Sequence, residues 1–236
     1  MNIFCVIAAR GGSQGLKEKN IRPMLDKPLI AWSIEQAKAC QEISRVVVST
    51  DCSKIADVAR RYGAEVPFMR PAELATDNAE KWKVWQHALE KCETFYGQNI
   101  DLLVDLDCTS PLRDVEDISN AIKQFRSSSV DAVFSVCKAR KNPYFNILEV
   151  VNGNQQICKS LPKPIVRRQD APMVYDHVAS IYVLSPAYLR RGTGLLSGST
   201  RGYDIGASKS FDVDSELDFE IIEHLMRKKY NNSHVR

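Results

Sequence analysis

Three places in the sequence bring charged or flexible residues together at spacings that could do chemistry. The first is Arg10-Gly11-Gly12-Ser13-Gln14-Gly15, followed by Lys17, Lys19 and Asn20. Glycines at 11, 12 and 15 permit unusual backbone angles and close approach, so several N–H groups can converge on an anion. Arg10, Lys17 and Lys19 add positive charge beside them. The pattern is neither G-x-x-x-x-G-K-[ST] nor G-x-G-x-x-G, which counts against an ordinary P-loop ATPase or a dinucleotide site. A phosphate cradle and a basic, solvated turn are the readings left. The loop follows an apolar, strand-like run, and that position favours phosphate.

The second place is Phe211-Asp212-Val213-Asp214. On an extended segment, period two puts Asp212 and Asp214 on one side, where two hard oxygen donors could share Mg²⁺ with substrate phosphates. The competing reading makes Asp214 or Ser215 a helix N-cap, with Ser215-x-x-Asp218 as a capping box. The third is Asp105 and Asp107, again two apart, running into Thr109-Ser110-Pro111-Leu112-Arg113. Asp51, after Val48-Ser49-Thr50, is expected to cap the helix that follows. Trp82 and Trp85 lie three apart and are expected in the core rather than stacking on a base. Cys108 has no histidine in a fixed relation to it, so a covalent thiol mechanism is not expected.

These residues need elements to hold them. Apolar, β-branched runs predict strands at 3–8, 45–49, 100–106, 131–136, 180–184 and 211–213. Helical periodicity covers 31–40, 53–62 (closed by Gly63), 79–96, 114–125 and 216–229. Strands bounded by helices in this rhythm imply an α/β fold, with a mostly parallel sheet covered on both faces. The rhythm breaks over 138–172, at Asn142-Pro143, Asn152-Gly153, Leu161-Pro162 and Lys163-Pro164. That stretch has too few apolar residues for its own core, so 1–236 is read as a single domain carrying a hairpin-bearing excursion. The polar tail from Asn231 to Arg236 is expected to fray.

Composition narrows the field. Of 236 residues, 44% are hydrophobic and 26% charged, with a net charge of +3. This is a globular composition. Its charge is too mild for nucleic acid, although it suits an anionic small molecule. The seven cysteines include no C-x-x-C pair, so zinc and disulfide frameworks fail on spacing and a reducing compartment is expected. No run approaches the ~20 apolar residues of a membrane span, and the apolar start is too short for a signal peptide. A cytoplasmic protein is expected.

Five motifs in register resemble the CMP-sialic acid (nonulosonate) synthetases, also called acylneuraminate cytidylyltransferases. They are Ala9-Arg10-Gly11-Gly12-Ser13-Gln14-Gly15 with Lys19-Asn20; Val48-Ser49-Thr50-Asp51; Arg70-Pro71-Ala72-Glu73-Leu74-Ala75-Thr76-Asp77; Thr109-Ser110-Pro111-Leu112-Arg113; and Asp212-Val213-Asp214-Ser215-Glu216-Leu217-Asp218. The resemblance implies a three-layer α/β/α sandwich of the nucleotide-diphospho-sugar transferase type. It also implies a homodimer in which an excursion like 138–172 reaches into the partner's site. It implies CTP and a nine-carbon keto-sugar acid as substrates, with CMP transfer expelling pyrophosphate. By the same resemblance Arg10, Gly11, Gly12, Ser13, Gly15, Lys19 and Asn20 hold the nucleotide and Arg70 meets its phosphate. Asp212 and Asp214 hold Mg²⁺, and Arg168-Gln169 meets the acidic sugar. Asp214 is the favoured base, and Asp107 a second metal or hydroxyl contact.

Three departures stand out. Gln14 replaces a common lysine, and Asp107 a common glutamine. Tyr175-Asp176-His177 replaces a stretch ending in Arg-Pro-Asn. With Arg140-Lys141-Asn142-Pro143-Tyr144-Phe145-Asn146, the last two resemble the legionaminic acid branch. An apolar Val178 near the sugar's tail would then tolerate a methyl group. The alternatives are N-acetylneuraminic acid, another sugar substrate on the same scaffold, and a non-catalytic nucleotide-binding regulator.

Overall fold

The computed structural model describes residues 1–13, 15–163 and 165–233; Gln14 and Pro164, singled out above, lie outside the described residues, as does the end of the tail. The chain runs β1 (Ile3–Ala8), β2 (Pro23–Met24), β3 (Lys27–Pro28), α1 (Leu29–Ala39), β4 (Arg45–Ser49), α2 (Ser53–Arg61) and α3 (Lys81–Tyr96). It continues through β5 (Leu102–Leu106), α4 (Val115–Arg126), β6 (Ala132–Lys138), β7 (Leu148–Val151) and β8 (Asn154–Ile157). The last elements are β9 (Tyr175–Leu184), α5 (Pro186–Arg191), β10 (Thr200–Asp204) and α6 (Glu216–Ser233).

Six strands form the central sheet in the order β10-β6-β9-β5-β1-β4. β1 pairs in parallel with β4 and β5, and β6 with β10, while β9 runs antiparallel to both its neighbours. The fold is therefore α/β with a mostly parallel sheet. The continuous apolar run of β1 has a simple cause. Ile3, Cys5 and Ile7 enter one core and Phe4 and Val6 the other. α1, α2 and α4 cover the first face through Ile30, Ile34, Ile55, Val58, Ile118 and Ile122. α3 and α5 cover the second with Trp82, Trp85, Leu89, Tyr188 and Leu189. Trp82 and Trp85 are core residues, as expected, packed edge-on at 6.0 Å. Fully burying an aliphatic or aromatic side chain of this kind contributes roughly 1.5–3 kcal/mol.

A third cluster lies outside the sandwich. Leu16, Met24, Trp32 and Val213 pack there against Phe219, Ile222 and Met226 of α6, tying the glycine loop to the end of the chain. Three expectations fail. Residues 211–213 join no sheet; the tenth strand is 200–204, whose Thr200-Arg201-Gly202-Tyr203-Asp204 carries no apolar alternation. β9 starts five residues before the predicted strand, and α6 extends through Asn231 to Ser233, where fraying was expected. The 138–172 stretch does carry a hairpin, β7–β8, turned by Asn152 (φ 51°) and Gly153 (φ 80°). Positive φ at both positions is the type I′ turn that Asn-Gly supports.

Candidate active site

The parallel strands end at a cavity of ≈370 Å³, lined by Arg10, Ser13, Gly15, Lys19, Asn20, Arg70, Asp107 and Asp214. Of the candidate site residues from sequence these eight converge, and Asp77, Cys108 and Thr109, also named above, line the cavity with them. Gly11, Gly12 and Asp212 stand beside the cavity without lining it. Arg168 and Gln169 line a different one of ≈420 Å³, together with Lys138, Asn142 and Met173.

The glycine loop works by close approach. Positive φ among the described glycines occurs only at Gly63, Gly97, Gly153 and Gly206, so Gly11, Gly12 and Gly15 do not supply the unusual angles that were expected. A Cβ on Gly15 would lie 2.5 Å from the Asp214 carbonyl oxygen, and one on Gly11 would lie 2.9 Å from Cys52 Cβ. Gly11 N–H donates to Asp51 Oδ1 at 2.9 Å, which removes one amide from any anion cradle. Asp51 therefore braces the loop and does not cap α2. The backbone N–H of Cys52 is met instead by Thr50 Oγ1 at 3.1 Å. The described residues offer no acceptor to the N–H groups of Gly12 and Ser13.

Lys19 and Asn20 hold the loop from the other side. Lys19 Nζ donates to the Val213 carbonyl at 2.6 Å and lies 3.4 Å from Asp214 Oδ1. Asn20 Nδ2 donates to the Arg10 carbonyl at 2.9 Å, and its Oδ1 accepts from the Cys108 thiol at 3.0 Å. Burial and then Asp107 push that thiol up to about 12, against Lys19 and Arg113, so it is protonated at neutral pH and no nucleophile. Arg10 pairs with Asp77. Arg70 donates to Ser49 Oγ at 3.1 Å, to the Ser49 carbonyl and, at 3.5 Å, to the Leu74 carbonyl. A guanidinium has five donors, so Arg70 keeps two for the cavity it lines.

The two carboxylate pairs meet different fates. Asp105 and Asp107 share a face of the β5 edge, as period two requires, because one ammonium bridges both. Lys81 Nζ lies 2.8 Å from Asp105 Oδ2 and 2.5 Å from Asp107 Oδ2. Burial works to lower the pKa of Lys81, and the two carboxylates overcome it and raise it. Burial raises Asp105, as does Asp107, against the pull of Lys81. Lys81, which also lines the cavity, is the charged residue that sequence reasoning missed. The signal available was a lysine opening a helix whose next turns carry core tryptophans.

Val213 N–H donates to the Thr109 carbonyl at 2.9 Å, and its side chain enters the third cluster, turning the carboxylates that flank it the other way. Ser215 takes the capping role. It accepts from Asp218 N–H at 3.2 Å, and Asp218 Oδ2 accepts from Ser215 N–H at 2.8 Å. Asp214 is thereby released, with a side chain 76% exposed. Asp212 is half-buried; burial raises its pKa against the Thr109 hydroxyl, and Asp107 and Asp214 add to the rise. Its Oδ1 is buried with no hydrogen-bond partner. An orphaned hard oxygen beside an exposed carboxylate is a donor set that fits Mg²⁺. Among the described residues no group of three or more His, Cys, Asp or Glu could hold a metal, so other ligands would have to complete the shell.

Arg113, fully buried, fastens the edge. It donates to the carbonyls of Asp107 at 2.7 Å, Ser110 at 2.9 Å and Ser180 at 3.3 Å, and to Ser33 Oγ. Val178, expected near the sugar, is 4% exposed within the first core cluster and cannot touch a ligand. All seven cysteines are free, and no described helix is long and apolar enough to cross a membrane.

A basic cavity where parallel strands end, edged by a close-packed glycine loop and by Asp212 and the open Asp214 carboxylate, suits phosphate chemistry on a nucleotide. The fold and this edge are those of a nucleotidyltransferase. The chain belongs to the cytidylyltransferase family, whose model matches residues 4–229. It is 40% identical over 227 residues to the CMP-N,N'-diacetyllegionaminic acid synthase of Campylobacter jejuni subsp. jejuni, covering 96% of both chains. It is 28% identical to the N-acylneuraminate cytidylyltransferase of Escherichia coli O18:K1:H7, spanning 56% of that protein. Its fold is similar to a CMP:2-keto-3-deoxy-manno-octonic acid synthetase structure, with a TM-score of 0.72 at 18% identity over 97% of this chain and 100% of that one.

Proposed function

We propose that this enzyme transfers CMP from CTP to the anomeric hydroxyl of a nine-carbon keto-sugar acid, N,N'-diacetyllegionaminic acid in particular, releasing pyrophosphate. The observation that carries the reading is the meeting of Arg10, Lys19, Arg70 and Asp214 around one cavity, in a chain that matches the cytidylyltransferase family almost end to end. The legionaminic assignment draws its support from the C. jejuni relative. Val178 no longer supports it. The pseudaminic acid cytidylyltransferase of the same organism, 36% identical, is the competing precedent.

The hydroxyl oxygen bonds to the α-phosphorus, the bond from that phosphorus to the bridging oxygen breaks, and the hydroxyl proton passes to the Asp214 carboxylate. Such a displacement depends on in-line placement and charge neutralisation more than on covalent help. Arg10 and Lys19 meet the negative charge that develops on pyrophosphate, and Arg70 turns its remaining donors to the nucleotide phosphates. Gly12 and Ser13 offer backbone N–H groups to the same oxygens, and Asn20 keeps the loop in shape. Asp212 and Asp214 would hold Mg²⁺, which when bound polarises the α-phosphate and acidifies the attacking hydroxyl.

The exposed apolar side chains of the excursion, Val150 at 70% and Val166 at 82% among them, support a homodimer in which this arm packs on the partner. That packing would bring Arg168 and Gln169 to a sugar carboxylate. Pyrophosphate release, assayed with CTP or UTP over a panel of nonulosonic acids, tests the reading. At least about ten-fold higher kcat/KM for diacetyllegionaminic than for N-acetylneuraminic acid is expected, and equal or reversed rates reject the assignment. Sedimentation of the parent and of Val150→Asp tests the dimer.

A further inference from the structure

We infer that Lys81 is a built-in cation of the active site: its ammonium takes the place between Asp105 and Asp107 that a second divalent ion would fill, and so confines metal to Asp212 and Asp214. The inference rests on the cytidylyl-transfer reading above and deepens its metal placement. Two-metal sites clamp a displacement at phosphorus from both sides, one cation on the attacking and one on the leaving oxygen. Two Asp-x-Asp pairs stand at the edge of this cavity, and by spacing alone either could seat a metal. The fold gives the first of them a cation of its own.

Lys81 Nζ lies between Asp105 Oδ2 at 2.8 Å and Asp107 Oδ2 at 2.5 Å. Asp105 is fully buried, and its oxygens make no hydrogen bond of good geometry. Among the described residues Lys81 is its only ion-pair partner. The Tyr182 ring lies 4.2 Å from the same ammonium and the Trp85 ring 5.3 Å. These walls are held by the backbone. Asp107 N–H donates to the Ser180 carbonyl at 3.1 Å, while Arg113 donates to the Asp107 carbonyl at 2.7 Å and to the Ser180 carbonyl at 3.3 Å. Tyr182 stands beside a bulge, where β6 advances two residues and β9 five between the pairs Phe134↔Tyr182 and Val136↔His177. Ser135 Oγ pins that bulge by accepting from Ile181 N–H at 2.8 Å.

Nothing local asks for a lysine here. Lys81 is the first residue of α3, where a cation works against the helix dipole, and the first turn carries no acid to balance it. Its reason is tertiary. Burial opposes the charge, and Asp105 and then Asp107 overcome it, so the ammonium persists at neutral pH. An ammonium has three donors; with two directed at carboxylates, one is left for the cavity that Lys81 lines. Burial raises the pKa of Asp212 against the Thr109 hydroxyl, and Asp107 adds to the rise, so the two pairs lie within electrostatic reach. Without Lys81, Asp105 and Asp107 would compete with Asp212 and Asp214 for the divalent ion. A tethered ammonium ends that competition.

Binding of Mn²⁺ alone, counted from the electron paramagnetic resonance signal of the free ion, tests this without turnover. The parent enzyme should bind one Mn²⁺ per chain. Asp214→Ala should weaken that binding at least about ten-fold, while Asp107→Asn leaves it within about two-fold. Lys81→Met should take up a second Mn²⁺, and Lys81→Met with Asp107→Asn should lose it again. Metal that binds only the folded chain stabilises it, so Mn²⁺ should raise the Tm of Lys81→Met more than that of the parent. A lysine with a merely structural role would leave the count at one. No second ion in Lys81→Met, or equal weakening by Asp107→Asn and Asp214→Ala, overturns the inference, as does a parent that binds two ions or none. Should Lys81→Met fail to fold, the comparison of Asp107→Asn with Asp214→Ala still decides. A parent enzyme that releases no pyrophosphate with any acid overturns the transfer reading by itself, since the Mn²⁺ counts need no turnover.

Discussion

Asp105-Leu106-Asp107 and Asp212-Val213-Asp214 are the same pattern in the sequence and opposite objects in the fold. The first pair sits where a true strand ends, and Asp105 is sealed in the core with Lys81 bridging to Asp107. The second lies on an irregular arm, with one orphaned oxygen on Asp212 and an open carboxylate on Asp214. What separates them is the counter-charge. Lys81 stands against two carboxylates, whereas Lys19 gives its short contact to the Val213 carbonyl and only a 3.4 Å approach to Asp214. The first pair shares one close ammonium at the cavity wall; the second has only the longer contact to Lys19 and keeps room for a further cation.

The strongest way to break this contrast is to remove the open pair. Asp214→Ala and Asp212→Ala should each lower turnover by orders of magnitude with Tm little changed, and chelation should silence the parent enzyme. Full activity in EDTA, or a near-normal Asp214→Ala, would contradict the metal role.

Next comes the sealed pair, where the loss should appear in stability. Lys81→Met leaves Asp105 buried with no cation and should cost about 3–5 kcal/mol at neutral pH. The sign follows from linkage. Asp105 already has a raised pKa in the folded chain, and loss of Lys81 raises it further. The folded state then binds more protons than the unfolded state between the two pKa values, and stability falls as pH rises through that window. Denaturant melts should therefore show the Lys81→Met deficit shrinking toward pH 5. Lys81→Met with Asp105→Leu should recover stability at pH 8. A deficit independent of pH would show that packing, and not charge, set the loss.

Arg10→Ala and Lys19→Ala should each remove about 1.5–3 kcal/mol from CTP use, roughly ten- to a hundred-fold in kcat/KM. The effect should be larger for CTP than for CMP as a competing ligand. Equal effects on both ligands would place these cations away from the β and γ phosphates.

The smallest change is Gly15→Ala, which adds a Cβ 2.5 Å from the Asp214 carbonyl oxygen. Overpacking against backbone typically costs about 1–3 kcal/mol, and the arm should yield before the loop does. Activity should therefore fall more than Tm. A wild-type Gly15→Ala would mean that the arm's position does not matter to catalysis.

Much of this was legible from the chain. The apolar runs of β1, β4 and β5 are covered on both faces, so their composition announces them without a partner. Asp114 and Asp117 form the capping box that opens α4, and Gly63 follows α2 with φ 84°, both as local chemistry dictates. β10 was illegible because Arg201, Gly202 and Asp204 hold an edge position by backbone pairing alone. Val178 was misplaced for a related reason: the facing of β9 depends on a bulge that only Ser135 and Arg113 make visible.

The sequence by itself determined the alternation of elements, the loop and its cations, the two Asp-x-Asp pairs and the family. Periodicity, turn chemistry and motif order are properties of neighbours along the chain. Only the tertiary structure decided that Asp51 braces the loop, that Val178 is sealed in the core, and that Lys81 closes on the first carboxylate pair while the second keeps an open carboxylate at Asp214. Each of those outcomes depends on a side chain from a distant element, Lys81 above all. Its charge reaches Asp105 and Asp107 across more than twenty residues of sequence and less than 3 Å of space.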